Sequence, residues 1–173
     1  LCELIDAEIA QARRGGIGHI IVKMNSLIDK GMIQKLYEAS MAGVNIELII
    51  RGICGLRPGL AGISENITVR SIIGRLLEHS RVFYFGGGGK EQVFLSSADW
   101  MPRNLDNRIE VTCPIYDTKI RQDLAKQLYV QINDNIKARY HDNINSTSYV
   151  SNTKEKIRSQ YAYYNYCLSQ IKT

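Results

Sequence analysis

In the stretch EHSRVFYFGGGGKEQVFLSSADW, residues 78–100, a histidine and an arginine stand two apart, His79 and Arg81, and a Ser-Ser-Ala-Asp run follows at 96–99. The runs RVFYF and QVFLS read as short strands, and the four glycines between them read as the reversal of a hairpin. On a strand, residues two apart point to the same side, so His79 and Arg81 project together while Ser80 and Val82 face the other way. An imidazole exchanges protons near neutral pH or attacks phosphorus, and an adjacent guanidinium holds the oxygens on which negative charge grows. If the hairpin pairs in register, its return strand delivers Ser96, Ser97 and Asp99 to the edge where His79 and Arg81 begin. Polar side chains from two stretches then meet at one rim.

Each of these features also has a plainer reading. GGGGK invites comparison with a phosphate-cradling loop, but that motif needs a Lys followed by Ser or Thr at the start of a helix, whereas Lys90 precedes Glu91 and a strand, so a plain turn is the better reading. His79 taken alone would more often be a partly buried structural residue, and His19 and His141 lack comparable company and are read as structural or surface residues. Asp99 also suits the cap of a helical turn starting at Trp100. The joint occurrence of His79, Arg81 and Asp99 is what favours a site.

The charge pattern agrees. A formal net charge of +5 fits an anionic partner without specifying one. Seven of the twelve arginines fall between positions 51 and 108, where only one lysine, Lys90, occurs. Arginine grips phosphate or carboxylate through a planar fork, so this bias in the loop-rich middle points to an oxyanion site.

The elements that must position these residues follow from periodicity. Residues 3–14 place Leu4, Ile5, Ile9 and Ala12 on one helical face and stop at Gly15-Gly16. HIIVKM (19–24) is a strand, Asp29 caps a helix over 30–42 that ends at Gly43, and VNIELII (44–50) is the next strand. Strand, helix and strand make a βαβ unit with parallel strands, so the fold class is α/β. Arg51 stands where the second strand ends and Arg57 in the loop beyond it, the place where open α/β sheets bind ligands. Further strands are predicted at 67–73 and 108–114, a helix from Asp117 to about 137, a polar connector at 143–148 and a final helix over 153–171.

At 173 residues and 45% apolar, the chain suits one domain with a buried core, and no apolar run approaches the roughly 20 residues that cross a bilayer. It begins with Leu1 and reads as a fragment of a longer protein. Four cysteines lie far apart, with no spacing suited to a metal, and are read as free thiols in a reducing cytoplasm. Peripheral attachment at the inner membrane stays open.

HSR followed by SSAD resembles a variant of the phospholipase D superfamily signature, H-x-K-x4-D and then G-S-x-N. HIIVKMNSLID, IIRGICGLRPG, RSIIGRLLEHSR and LSSADWMPRNLDNRIEV resemble, more closely still, the last domain of the polyphosphate kinases that work through a phosphohistidine. The resemblance runs over nearly the whole chain. It implies a single phospholipase D-like domain over 1–173, a mixed β-sheet flanked by helices with further helices at the C-terminus, forming one half of a catalytic site. It also implies reversible transfer of the terminal phosphate of ATP to polyphosphate, with Mg2+ bound mainly with ATP and other domains. The phosphorylated histidine would lie on the preceding domain of the same chain, so the isolated fragment would be inactive. A homo-oligomeric full-length protein is implied, with ADP and polyphosphate as partners and no nucleic acid.

Carried over residue by residue, the resemblance makes His79 the second active-site histidine, binding the transferred phosphate and assisting proton transfer, and makes Arg51 an ATP contact. Arg81, in the lysine position of the superfamily motif, and Arg103 and Arg108 would line the phosphate path. Ser97 and Asp99 would orient the histidines or donate to phosphate, with Glu110 supporting an arginine. No metal ligand is assigned. Gly86 stands where the superfamily has Asp, which counts against a phosphodiesterase. A phosphodiesterase or nuclease half-site, and a non-catalytic polyanion-binding module, are the alternatives.

Overall fold

The computed structural model describes residues 1–171 apart from Asn145 and Lys154. In chain order the elements are α1 (Cys2–Arg13), β1 (His19–Met24), α2 (Lys30–Met41), β2 (Asn45–Ile50), β3 (Ile67–Ile72), β4 (Arg81–Phe85), β5 (Gln92–Ser96), α3 (Pro102–Leu105), β6 (Thr112–Pro114), α4 (Thr118–Ile132), β7 (Ala138–His141), β8 (Thr147–Tyr149) and α5 (Ser159–Ile171). One sheet carries all eight strands in the order β6-β5-β4-β1-β2-β3-β7-β8. Its centre, β1 to β3, is parallel, and pairing turns antiparallel on both sides. The βαβ unit is as predicted: the Asp29 carboxylate accepts from the Met32 N–H at 2.8 Å, and Gly43 leaves α2 at φ +91°.

Alternation along the strands sorts the core into two layers. Ile20, Val22, Phe83 and Phe85 join Ile5, Ile9 and Leu36 beneath α1 and α2, with Trp100 among them. Ile21, Val82, Tyr84 and Val93 join Ala125 and Leu128 of α4 on the opposite face. Each fully buried large side chain contributes roughly 1.5–3 kcal/mol before the entropy of ordering is subtracted. The sheet can therefore carry a strained or exposed polar rim at its strand ends without depending on that rim for its cohesion.

Several sequence expectations are corrected. The helix expected to reach 137 ends at Ile132, because the Asp134 carboxylate captures the backbone N–H groups of Ile136, Lys137 and Ala138 at 2.7–3.0 Å and turns the chain out of the helix. That turn starts β7, which the sequence reading missed. β7 pairs antiparallel with β3, and β8 takes up residues 147 and 148 of the expected connector; Asn145 lies outside the described residues. The last helix begins at Ser159 rather than 153, of which Lys154 lies outside the described residues. Only 112–114 of the expected 108–114 strand pairs with β5, because the Val111 N–H goes to the Ser97 hydroxyl, at 3.0 Å, instead of into the ladder.

Candidate functional site

The hairpin pairs in register, with Arg81 opposite Ser96 and Phe85 opposite Gln92. Its tip is one turn of 3-10 helix over Gly87–Gly89, all three at positive φ, a conformation that side chains with a Cβ resist. The Gly87 N–H donates to Glu8 at 2.6 Å, and the other Glu8 oxygen takes the His19 N–H at 3.0 Å, so α1 fastens the tip to the start of β1. The mouth of the hairpin is thereby fixed against the ends of the parallel strands.

At that mouth Asp99 is 5% exposed and is the hub. The next residue, Trp100, is sealed in the core against Phe83 at 5.3 Å between ring centroids, and its carbonyl accepts from Ile28 and Asp29 at 2.9 Å. Such anchoring leaves Asp99 little freedom. Its carboxylate accepts from the Asn25 backbone N–H at 2.8 Å and side-chain amide at 3.2 Å, and from Arg81 Nε at 3.2 Å and Nη2 at 3.1 Å. Burial pushes the Asp99 pKa up, but the hydrogen bond from Arg81, the Asn25 amide and the guanidinium charge outweigh it and hold the carboxyl below the ordinary aspartate value. Asn25 in turn accepts from Arg51 through Oδ1, at 3.2 Å from Nε and 2.9 Å from Nη2. The carbonyl of Asn25 takes the Gly52 N–H at 2.7 Å, a closeness that a side chain at 52 would block, since its Cβ would stand 2.9 Å from that oxygen.

His79 ends the chain of contacts and is exposed. Arg81 Nη1 donates to His79 Nδ1 at 3.0 Å and to the His79 carbonyl at 2.8 Å; Nη2 lies 3.4 Å from Nε2. An arginine has only donors, so Nδ1 is the acceptor, and in the neutral ring the proton sits on Nε2. Nε2 lies beside Arg81 Nη2, so an oxygen arriving there meets the imidazole and the guanidinium together. Arg51, Asn25, Asp99, Arg81 and His79 thus form one continuous hydrogen-bonded series along the carboxyl ends of β1 and β2 and the start of β4.

His79 is also held from the far side of the sheet. Lys23, buried in β1, donates to Glu78 at 2.8 Å and to Ser80 at 3.1 Å, gripping both neighbours of His79. Gln131 of α4 and Gln160 of α5 donate to the same Glu78 carboxylate at 2.5 and 3.0 Å.

The remaining predicted residues lie differently. The Ser97 hydroxyl donates to Glu110, whose other oxygen accepts from Asn104 at 2.6 Å, so Ser97 braces the loop before β6 rather than reaching His79. Those two hydrogen bonds lower the Glu110 pKa against desolvation, and the Arg108 and Arg81 charges add to them; Glu110 makes no direct arginine bond. Arg108 is exposed in the stretch before β6, and Arg103 is exposed on α3, with no side-chain bond to the His79 series. Sequence reasoning missed Asn25, Lys23 and Glu78. Asn25 follows the end of β1 as Arg51 follows β2, so the strand-end rule that singled out Arg51 would also have found it. Lys23 gave a different signal, a lone lysine in an apolar strand.

No group of three or more His, Cys, Asp or Glu suited to a metal occurs among the described residues. Asp99, the carboxylate of the series, has both oxygens taken by Asn25 and Arg81. The described residues of this series do not fit a magnesium site of their own.

An open mixed sheet with helices on both faces and a histidine hairpin at the strand ends defines the class. It is the fold of the phospholipase D family: the chain superposes on Nuc from Salmonella typhimurium, titled a phospholipase D family member, with TM-score 0.55 over 78% of this chain and 88% of that one at 15% identity. NucT from Helicobacter pylori gives 0.54 over 75% and 87% at 14% identity. Within that fold the chain belongs to the polyphosphate kinase family: the model for the polyphosphate kinase C-terminal domain 2 matches residues 1–160. Polyphosphate kinase from Vibrio vulnificus (strain YJ016) is 53% identical over 96% of this chain and 24% of its own length. The crystal structure of polyphosphate kinase from Porphyromonas gingivalis superposes with TM-score 0.95 at 46% identity, covering 97% of this chain and 26% of that one. The chain spans about a quarter of the length of these relatives.

Proposed function

We propose that this domain is the C-terminal half of a phosphoryl-transfer centre in a longer polyphosphate kinase. The centre moves the terminal phosphate of ATP reversibly to the end of a polyphosphate chain through a phosphohistidine on the preceding domain. The observation that carries this reading is the exposed imidazole of His79, fixed through Arg81 and Asp99 to the same series that ends at Arg51. Nε2–H of His79 binds an oxygen of the phosphoryl group in flight and passes its proton to the oxygen that departs, taking one back in the reverse direction. Arg51 uses only Nε and Nη2 on Asn25 and keeps Nη1 for the phosphate oxygens; Arg81, whose donors are taken up by His79 and Asp99, adds its charge against that of the phosphates. Arg103 and Arg108, both exposed, join them once the polyanion lies along the rim. Magnesium would be held by the nucleotide phosphates and other domains and would supply charge neutralisation there; ADP is the product released. In this reading His79 is not the covalent nucleophile, since the phosphohistidine is the one on the preceding domain.

This reading places the domain in the cytoplasm, where ATP is made and used, within an oligomeric full-length protein. No helix among the described residues is long and apolar enough to cross a membrane. The test uses the whole polypeptide with labelled ATP. His79→Ala should lower polyphosphate synthesis by about 10²–10⁴-fold, the range of a general acid, while phosphorylation of the other histidine persists. Acid-labile label on His79 itself would overturn the assignment. Metal-independent cleavage of a phosphodiester by this chain alone, dependent on its dimerisation, would favour a nuclease half-site instead.

A further inference from the structure

On the sheet face away from α1 and α2, β3 carries an arginine in an apolar neighbourhood. Arg70 is 4% exposed, although it shares that face with Ile72 and lies beside Ala138 and Leu128 in the same layer. Among the described residues no carboxylate pairs with it. Its guanidinium makes one hydrogen bond, Nη2 to the Tyr140 hydroxyl at a long 3.4 Å, and stands 5.0 Å from the centre of that ring; its Nε is buried with no partner. A buried charge without a counterion costs several kcal/mol, and each unmet donor costs about 1–3 kcal/mol more.

The guanidinium lines a cavity of about 210 Å³, walled by the turn after α4 and by the segment leading to α5. Asp134 is the buried carboxylate of that wall, but it is already spent. Its two oxygens accept from the N–H groups of Ile136, Lys137, Ala138 and Ser159 and from the Ser159 hydroxyl, at 2.7–3.0 Å. Glu155, also on the wall, is exposed, and its carboxylate makes no ion pair with Arg70. The cavity therefore offers a fixed cation with free donors and, in Tyr140, a hydroxyl that accepts from Arg70 and keeps its own proton for a guest. At about 30 Å³ of liquid volume per water molecule, it has room for a tetrahedral oxyanion together with a few waters.

We propose that this cavity is a second oxyanion site, taking one phosphate-sized group on Arg70 and Tyr140, separate from the His79 rim. It does not rest on the assignment of His79, since it lies on the other side of β3 and uses none of the rim residues.

The test is made in the whole polypeptide carrying Arg51→Ala and His79→Ala, so that the rim contributes little to anion binding. Crystals grown without phosphate and soaked in selenate should show an anomalous peak beside the Arg70 guanidinium. In solution, inorganic phosphate should raise the melting temperature, and Arg70→Met, which keeps the packed stem, should weaken phosphate binding at least tenfold. Tyr140→Phe, a milder change, should weaken it about threefold and serves where Arg70→Met fails to fold. A response to inorganic phosphate assigns the free ion, and a response only to polyphosphate assigns the end of a chain; both support the site. Water alone in the cavity after the soak, with a phosphate response unchanged by Tyr140→Phe or Arg70→Met, overturns it.

Discussion

Replacing Asp99 by asparagine probes the series of contacts at its hub. The substitution keeps shape and one acceptor oxygen but turns the other oxygen into a donor. The retained oxygen can serve the Asn25 N–H and Arg81 Nε, which already share Oδ1 at 2.8 and 3.2 Å. Arg81 Nη2, now 3.1 Å from Oδ2, would then face an NH2 group. Stripping the partner from a buried ion pair costs about 3–5 kcal/mol, whereas an exposed pair is worth about 0–1 kcal/mol. The two side chains are 12% and 7% exposed, Arg81 and Asp99 respectively, which puts the pair nearer the buried limit. Arg81 keeps its contact with the exposed His79, and water there relieves part of the loss, so we expect about 2–4 kcal/mol.

Urea unfolding of parent and variant near neutral pH measures the difference, provided the slopes agree. Acid supplies a second reading. The folded-state pKa of Asp99 lies below its unfolded value, so in the acid range the unfolded chain binds more protons. The contribution of the carboxylate is complete above the ordinary aspartate value, about 3.9, and is lost as the pH falls through the lower folded value. The gap between parent and variant should therefore narrow in that window. A difference under about 0.5 kcal/mol at neutral pH, no more than an exposed pair gives, or a gap that widens in acid, would refute the buried-hub reasoning.

Two further outcomes are expected. Glu78→Gln leaves Lys23 buried without its carboxylate and should cost about 1–3 kcal/mol in denaturant unfolding; by loosening the residue before His79 it should also lower kcat of the whole enzyme about tenfold while KM changes little. Asp134→Ala removes the acceptor of three successive N–H groups and of Ser159, so hydrogen exchange should speed up at 136–138 and at the first turn of α5, with about 2–4 kcal/mol lost.

What could be read from the residues divides by range of interaction. Asp29 and Gly43 bound α2 by local chemistry, and the sequence declares both. The hairpin register, Arg81 opposite Ser96, follows from two alternating runs around a glycine turn, so the meeting of His79, Arg81 and Asp99 was legible as well. For Asn25 the strand-end rule marks the position but not the role, because its partners stand 26 and 74 residues away and only the folded sheet brings them together. The end of α4 shows the opposite failure. Ile132 and Ile136 continue the apolar repeat, and nothing in that repeat reveals that the side chain of Asp134 would take three backbone N–H groups away from the helix.

The two outermost strands of the sheet, β6 and β8, are three residues long, and β6 ends in Pro114, which has no N–H to offer. Short borders of this kind give a foreign strand little to template on. Growth of the sheet from one molecule into the next is thereby discouraged at both rims, and whatever neighbours the domain meets must be engaged through its helices, its loops or the guanidinium-bearing strand ends.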